Sequence, residues 1–325
     1  MIRILSAGSI LTLVITAIAS PLCADPPAAA LRATANDQGI QVHEGDRPVL
    51  FYQRSPKSLQ GKHERANYVH PLYDLDGNIL TEDFPTDHPH HRGIFWTWHQ
   101  VWLGERKLGD PWLASDFSWE VRQVETMLAN PDLLQLRCHV TWTSPQAVDE
   151  LQTRLPLVRE TTTIGIHRAG PNHRKIDFQI HLQALQPGIR LGGSDDVKGY
   201  GGFSPRIQLP PDVRFRGVQG PVEPLRTAVE GGAWIDIVGN FASKTATSGL
   251  AILCHPSIPG FPQKWILRSS GSMQNAVYPG RQAVPLPLQT PLLLSYRLVL
   301  HRGEPSTSEL SRWQQEFATP PATAP

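Results

Sequence analysis

Regular alternation of apolar and polar residues is the sequence feature that most constrains how this chain can fold. In the segment 134–142, every second residue is apolar and the residues between are polar or charged. A period of two places the apolar side chains on one face of an extended chain, as in a half-buried β-strand. The pattern returns at 162–166, 176–182 and 292–300. With 30 Pro and 26 Gly in 325 residues, the sequence favours short strands joined by turns.

One helix is predicted, close to the C-terminus. Ser306 and Glu309 have the spacing of a capping box. Leu310, Trp313 and Phe317 follow them on one helical face. The predicted strands outnumber the roughly seven to nine of an immunoglobulin-type domain. We therefore predict an all-β fold: a large two-sheet antiparallel β-sandwich like those of sugar mutarotases and polysaccharide lyases, with a jelly roll as the second choice.

The N-terminus has the three-part layout of a secretory signal peptide. Arg3 supplies a positive charge, the stretch from 4 to 18 is apolar, and small-residue sites follow at 17–19 and 22–24. The apolar run is shorter than the ~20 residues that a membrane-spanning helix needs. We therefore predict a signal peptide over 1–24 and a periplasmic or secreted protein without a membrane segment after cleavage.

The remaining chain is predicted to form one domain. Residues 25–38 begin with a stretch rich in proline and alanine and are expected to be a flexible leader. Residues 39–318 contain no internal repeat or change of composition, so we predict a single β-sandwich domain there. Residues 319–325 are expected to be a disordered tail.

Charge and cysteine content limit the classes of partner and site. The formal net charge is +1 and only 18% of residues are charged, which argues against a nucleic-acid partner because phosphates require clustered Lys and Arg. Cys138 and Cys254 lie in apolar, strand-like segments. The sequence leaves open whether they form a disulfide or remain buried thiols. Neither has a Cys-x-x-Cys partner, so a structural zinc site is not expected.

The densest group of titratable residues lies in the segment 87–93. Three histidines fall within four positions there, namely His88, His90 and His91. If the chain runs as a strand from this point, His90 shares a face with Arg92, Trp96 and Trp98. Indole rings can stack on the apolar face of a sugar while the polar side chains bind its hydroxyl or carboxylate groups. We therefore predict that Arg92, Trp96 and Trp98 bind substrate.

Two chemical roles compete for the three histidines. Imidazole binds zinc, copper and iron, and Asp83 or Asp87 can complete such a site. Imidazole is also the side chain best suited to acid–base catalysis near neutral pH. The spacing is not a standard ligand motif, and adjacent His90 and His91 point apart in an extended chain. We favour catalysis by His88, His90 and His91 without a cofactor, and keep a metal held by one of them as the alternative.

A second polar segment, which we call the glycine-flanked loop, covers residues 192–203. Its glycines suggest a backbone that must approach another group closely. We predict that Asp195 and Asp196 are catalytic partner carboxylates and that Lys198 and Tyr200 bind substrate. Further substrate-binding candidates lie elsewhere in the sequence, namely His70, His255 and Arg268.

Three segments, 87–93, 195–203 and 255–268, together resemble a family of secreted bacterial proteins labelled PmoA-like, a domain of unknown function. The resemblance extends over about 39–301 and implies no particular activity. The label refers to methane oxidation by a membrane protein with several spanning helices. After residue 24 the chain has no run of ~18 apolar residues, so methane oxidation is not expected.

The main functional hypothesis is an exported carbohydrate-active enzyme of hydrolase, lyase or epimerase type with a histidine-rich site in a cleft. Its partner would be a small-molecule or oligosaccharide substrate. A non-catalytic carbohydrate-binding protein and a metal-dependent oxidoreductase are the alternatives. The sequence has no Gly-x-Ser-x-Gly motif, which disfavours a serine hydrolase. The hypothesis requires residues separated by more than a hundred positions to meet in one concavity.

Overall fold

The computed structural model describes residues 30–241 and 246–319, and these are almost entirely strands and turns. The first strands are β1 (Leu31–Ala35), β2 (Gly39–Glu44), β3 (Arg47–Gln53), β4 (Lys57–Leu59), β5 (Lys62–Arg65), β6 (Tyr68–Leu72), β7 (Ile94–Thr97), β8 (Gln100–Leu103) and β9 (Arg106–Lys107). The middle strands are β10 (Ser118–Asn130), β11 (Leu133–Thr143), β12 (Val158–His167), β13 (His173–Ala184), β14 (Ile189–Gly192), β15 (Gly202–Pro205), β16 (Arg214–Gly217) and β17 (Gly220–Pro221). The last strands are β18 (Trp234–Gly239), β19 (Ser248–Cys254), β20 (Trp265–Ile266), β21 (Asn275–Ala276), β22 (Val284–Pro285) and β23 (Leu292–Arg302). A 3₁₀-helix covers Pro111–Leu113 and helix α1 covers Thr307–Ala318.

Two large antiparallel sheets form the body of the protein. One has six strands in the order β1-β2-β3-β6-β7-β15, and the other has nine in the order β10-β11-β12-β13-β23-β19-β18-β16-β17. A four-stranded sheet (β22-β14-β8-β9) and the pairs β20-β21 and β4-β5 complete the described part. The predicted all-β, sandwich-like fold with a short C-terminal helix is confirmed.

The core lies between the two large sheets. Along β11, the predicted alternation is observed: Leu134, Leu136, Cys138, Val140 and Trp142 are all buried. Aromatic rings meet across the core. The ring of Phe203 on β15 stacks on Tyr296 of β23 with centroids 4.5 Å apart and lies 5.1 Å from the ring of Phe178 on β13. Close packing of such rings is a large part of the energy of burial.

A buried carboxylate joins the two sheets. Glu160 on β12 is fully buried, and its Oε1 accepts hydrogen bonds from Asn67 Nδ2 (2.8 Å) and Trp96 Nε1 (2.8 Å) of the six-stranded layer. The same oxygen accepts from Thr162 Oγ1 (2.6 Å), and Oε2 accepts from Trp142 Nε1 (2.8 Å). Burial raises the pKa of Glu160 above its ordinary value, while these donors act in the opposite direction. Both carboxylate oxygens are therefore paired in the core.

Helix α1 begins where the sequence predicts. Ser306 is the N-cap, and its Oγ accepts a hydrogen bond from the backbone N–H of Glu309 at 3.2 Å. Leu310 and Trp313 are buried against β18, β19 and β23, and Phe317 packs at the edge of this cluster. The apolar face predicted from the sequence is therefore the face of α1 that packs against the nine-stranded sheet.

The predicted leader is partly wrong. Residues Leu31–Ala35 were expected to belong to a flexible leader over 25–38, but they form β1, which pairs with β2 from Leu31↔Glu44 to Ala35↔Ile40. Leu31 is buried in the core, and this burial helps to hold the edge strand β1 against β2. The predicted signal peptide (1–24) and residues 320–325 of the predicted tail lie outside the described residues.

The long strand predicted from His91 onward is also wrong. Strand β7 begins only at Ile94 and pairs with β15 in the six-stranded sheet, while β8 starts at Gln100 and pairs with β14 in the four-stranded sheet. Trp98 lies at the change of direction and donates from Nε1 to the backbone oxygen of Tyr278 at 2.8 Å. The chain thus passes from one sheet to another, so the assumed parity does not persist across the segment.

Cys138 and Cys254 are free thiols, both buried in the core. Burial raises the pKa of both thiols, which keeps them protonated and unreactive. Within the described ranges, no helix has the length and hydropathy to span a bilayer.

Replacing Glu160 by Gln should destabilise the fold by about 2 to 4 kcal/mol. The amide nitrogen of Gln would face an indole N–H or amide donor that has no other partner. Urea unfolding measures the change, and Glu150→Gln, at an exposed position, should stay within about 0.5 kcal/mol of the wild type. Equal stabilities of the two variants would contradict the importance of the buried carboxylate.

Candidate functional site

The histidine loop, residues 82–93, is fixed to the segment after β15 by Arg206. The guanidinium of Arg206 binds Glu82, and it binds Asp87 through two contacts, Nη2–Oδ1 at 2.8 Å and Nη1–Oδ2 at 3.2 Å. Such a two-point contact sets orientation as well as distance. The backbone closes the loop: Gly93 N donates to Glu82 O at 2.7 Å, and Arg206 N donates to Gly93 O at 2.7 Å.

Three imidazoles pack together on this loop. The rings of His88 and His91 are stacked, with centroids 4.7 Å apart and planes 2° from parallel. The ring of His90 stands edge-on to His91 at 4.6 Å and to His88 at 5.7 Å. A fourth ring, His63 on β5, lies 6.1 Å from His90. The turn that brings them together is closed by a hydrogen bond from His91 N to His88 O (2.9 Å).

Burial and mutual proximity keep two of these rings neutral. Burial lowers the pKa of His90 to about 4, and the neighbouring His88, His63 and His99 act in the same direction. Burial lowers the pKa of His91 to about 2, with further lowering by His90 and His88. Adjacent rings of this kind cannot all carry a proton at neutral pH. Neutral imidazole is the form that accepts a proton.

His88 has an accessible side chain and a carboxylate partner. Its side chain is 41% exposed, and Nδ1 lies 2.9 Å from Asp87 Oδ2. Hydrogen bonds from His88 and Arg206 outweigh the effect of burial and lower the pKa of Asp87 to about 2. The ionised carboxylate therefore accepts the Nδ1 proton of His88 and leaves Nε2 free to act as a base.

The glycine-flanked loop faces the histidines, but its glycines serve the loop itself. A Cβ on Gly193 would lie 2.2 Å from the backbone oxygen of Gly199, and one on Gly199 would lie 2.7 Å from the backbone nitrogen of Arg281. The close approach predicted from these glycines is therefore between parts of the backbone. This packing holds Lys198 and Tyr200 in place, with Lys198 Nζ 5.1 Å above the centre of the tyrosine ring.

Arg268, just after β20, is a cation without a carboxylate partner among the described residues. Its guanidinium donates to the backbone oxygens of Leu225 (2.7 Å), Leu267 (2.7 Å) and Arg226 (2.9 Å). These bonds orient the side chain but leave its positive charge uncompensated. Lys198, in contrast, is paired with Asp196 at 3.0 Å.

These segments surround a pocket of about 200 Å³. Its polar lining residues are His88, His90, His91, Lys198, Tyr200, Arg268 and Ser272. Its apolar residues are Trp112, Leu113, Ile266 and Met273. The structure thus brings six of the residues predicted from sequence into one concavity. No carboxylate lines this pocket within the described ranges, so its surface is rich in cations and neutral imidazoles.

Sequence reasoning missed an imidazole–carboxylate pair behind the pocket. His99 Nδ1 lies 2.9 Å from Asp110 Oδ2, and the ring of His99 stacks on Trp112 with centroids 5.2 Å apart. Tyr200 contacts both rings edge-on, at 5.0 Å from His99 and 4.8 Å from Trp112. Asp110 also caps the 3₁₀-helix, so an Asp-Pro pair before an aromatic residue was the available signal. These groups support the wall on which Tyr200 rests.

The two predicted carboxylates do not line the pocket. Asp195 is exposed and pairs with Arg281 at 2.9 Å, on the other side of the glycine-flanked loop from Lys198. Asp196 accepts hydrogen bonds from Ser194 Oγ (2.8 Å) and from the backbone N–H of Lys198 (2.9 Å). These bonds and the charge of Lys198 outweigh burial and lower the pKa of Asp196 to about 2. Asp196 therefore positions Lys198.

Three residues predicted to bind substrate are buried instead. Arg92 is inaccessible, forms an ion pair with Asp83 at 3.2 Å, and has its guanidinium carbon 3.2 Å from the ring centre of Phe84. Trp96 and Trp98 belong to the core, where their indole N–H groups bind Glu160 and a backbone oxygen. Without exposed surface, none of the three contacts a ligand in the pocket, and that prediction is wrong.

His70 and His255 also lie outside the pocket. His70 on β6 has Nδ1 2.9 Å from Thr81 Oγ1, and burial lowers its pKa. His255 has Nδ1 2.8 Å from Ser257 Oγ and packs edge-on against Phe317 of α1, with centroids 5.2 Å apart. Both histidines have local structural partners, so the structure does not gather them with the histidine loop.

Other cavities are larger, but they lack histidine side chains. Surface cavities of about 630, 430 and 380 Å³ open elsewhere in the described part, and no histidine lines them. Asp83, considered above as a metal ligand, is instead bound by Lys57 and Arg92. Across 30–241 and 246–319, no group of three or more His, Cys, Asp or Glu side chains is arranged to hold a metal ion.

The low pKa of His91 makes stability depend on pH. Between pH 7 and pH 5 the unfolded chain binds a proton at this imidazole, with an ordinary pKa of 6.5, that the folded protein does not bind until about pH 2. The free energy of unfolding should therefore fall on acidification, by up to about 2 kcal/mol from this residue. His91→Gln should lose that part of the slope in urea unfolding at several pH values. A titration of the imidazoles in urea-unfolded protein is the control, and an unchanged slope would contradict the burial argument.

Comparison with known proteins gives a family and no activity. No curated protein matches the sequence. A family model described as a family of unknown function (DUF6807) matches residues 39–314, which cover most of α1 and both large sheets except strand β1. The expectation of a family without an assigned activity is confirmed. The chain belongs to this DUF6807 family.

Proposed function

We propose that this protein is an exported carbohydrate-active enzyme whose acid–base groups are the histidines of the histidine loop. The observation that supports it is the meeting of three imidazoles with Lys198, Tyr200 and Arg268 around one pocket. Clusters of titratable groups with displaced pKa values in a concavity are typical of catalytic sites.

The three histidines have different roles in this proposal. His88 is the general base, because Asp87 holds its Nδ1 proton and its ring is accessible. His90, half-buried and neutral, is placed to bind the substrate and to donate a proton once it has received one. His91 is almost fully buried and stacks beneath His88, so it positions that ring. In the Asp87–His88 pair, as in the carboxylate–imidazole pair of many hydrolases, the carboxylate fixes the tautomer and the orientation of the imidazole.

The pocket suits one sugar unit. At about 200 Å³ it is smaller than the ~300–1,000 Å³ sites of drug-sized ligands. Leu113, which is 40% exposed, is the accessible apolar side chain of a lining that otherwise consists largely of groups that donate or accept hydrogen bonds. Sugars present both an apolar ring face and hydroxyl groups, so such a mixed surface matches them.

The lining favours lyase or epimerase chemistry over hydrolysis by paired carboxylates. Most glycoside hydrolases need two carboxyl groups facing the scissile bond. The pocket has none along the described residues, but it has a base in His88 and a cation in Arg268. A base beside a cation suits removal of a proton from carbon, because the cation stabilises the negative charge that develops.

A panel of neutral and acidic mono- and oligosaccharides, with products followed by chromatography and NMR, tests the proposal. His88→Gln should lower turnover of the converted sugar about 10²-fold or more, because a general base is lost. His255→Gln is the matched control, since that histidine lies outside the pocket, and it should keep wild-type turnover. Sugar binding without conversion would instead indicate a carbohydrate-binding protein, and wild-type turnover by His88→Gln would remove the proposed base.

A further inference from the structure

The distribution of charge around the pocket is asymmetric. Every carboxylate near it has a cationic or imidazole partner: Asp87 binds Arg206 and His88, Asp110 binds His99, and Asp196 binds Lys198. Arg268 alone contributes a charge to the lining that no described carboxylate balances. An anion bound in the pocket would supply the counter-charge that this partly exposed guanidinium lacks.

The lining also gathers several groups that can form hydrogen bonds around one small pocket. His91 contributes little to it, because the residue is only 2% exposed and its Nδ1 is closed off from the open space of the pocket. Arg268, Lys198 and the imidazoles can together offer several donors to one group of oxygen atoms.

From these observations we propose that the pocket binds a sugar acid, such as a uronate, and that Arg268 with Lys198 holds its carboxylate. This inference rests on the proposed function and adds the substrate class to it. A neutral sugar would leave Arg268 uncompensated, whereas a carboxylate would receive charge-assisted hydrogen bonds from it. Tyr200, beside Lys198, would lie next to the bound carboxylate.

The same arrangement explains why neutral imidazoles lie next to cations. When cations hold the carboxylate, the hydrogen on the adjacent carbon becomes more acidic. His88 Nε2 then takes that proton, the C–H bond breaks, and its electron pair is delocalised into the carboxylate as an enediolate. A proton delivered to the opposite face of the same carbon by protonated His90 gives the epimer. His88 keeps the abstracted proton until solvent takes it up, and His90 regains a proton from solvent, so no external oxidant or reductant is needed. An anion in the pocket also favours protonation of the neighbouring His90, which then acts as the acid.

Isothermal titration with D-glucuronate and D-glucose tests the inference, because the two probes differ by the carboxylate. We expect glucuronate to bind the wild type about tenfold to a hundredfold more tightly than glucose. Arg268→Gln should lose most of this preference, measured as the ratio of the two affinities, and Lys198 should account for what remains. Arg281→Gln is the matched control, since Arg281 is bound to Asp195 outside the pocket, and it should keep the preference.

The possible outcomes separate this inference from the proposed function. Equal affinity for the two sugars would overturn the sugar-acid inference and leave a neutral-sugar enzyme standing. Acetate binding as tightly as glucuronate would indicate a general anion site and would overturn both. Because Arg268 also binds backbone oxygens, circular dichroism must show that the variant is folded. If it is not, Lys198→Gln serves instead, and an unchanged preference for glucuronate in that variant would overturn the assigned anchor.

Discussion

The arrangement of the two sheets depends on the hydrogen bonds that the carboxylate of Glu160 accepts from both of them. Glu160 lies on the nine-stranded sheet, and two of its donors, Asn67 and Trp96, come from the six-stranded layer. A buried carboxylate needs such donors, because an unpaired one would cost several kcal/mol. Trp96 belongs to β7, which starts directly after the histidine loop. The hydrogen bond between Trp96 and Glu160 therefore also fixes the position of the C-terminal end of the histidine loop.

Two arginines then determine the shape of the histidine loop. Arg92 lies inside the loop and binds Asp83, and Arg206 comes from the neighbouring strand end and binds Asp87. Both guanidiniums are buried, so their charge requires carboxylate partners and holds the loop to one path. On that path burial lowers the pKa of both His90 and His91, and the neighbouring imidazoles lower it further. The basic form of the histidines is thus a consequence of ion pairs that do not touch the pocket.

Local patterns predicted the strands and the helix well, because burial of one face depends only on neighbouring residues. The alternation at 134–142 and the cap at Ser306 are examples. The same reasoning failed between His91 and Trp102, where the chain passes from one sheet to another and parity is lost. It also misplaced Arg92, because sequence cannot tell an arginine that binds ligand from one that neutralises a buried aspartate. Long-range partners decide that difference, and here the partner is Asp83.

The glycine-flanked loop shows how side chains close in sequence acquire different environments. Asp195 and Lys198 are three positions apart, yet Asp195 faces Arg281 in one cavity and Lys198 faces the histidines in another. The loop turns sharply because Gly193 and Gly199 allow its backbone to fold on itself. Because of that turn, Lys198 lines the pocket while Asp195 lines a different cavity. Because Asp196 pairs with Lys198, the excess positive charge of the pocket comes from Arg268, and this excess distinguishes the pocket from the two-carboxylate sites of most glycoside hydrolases.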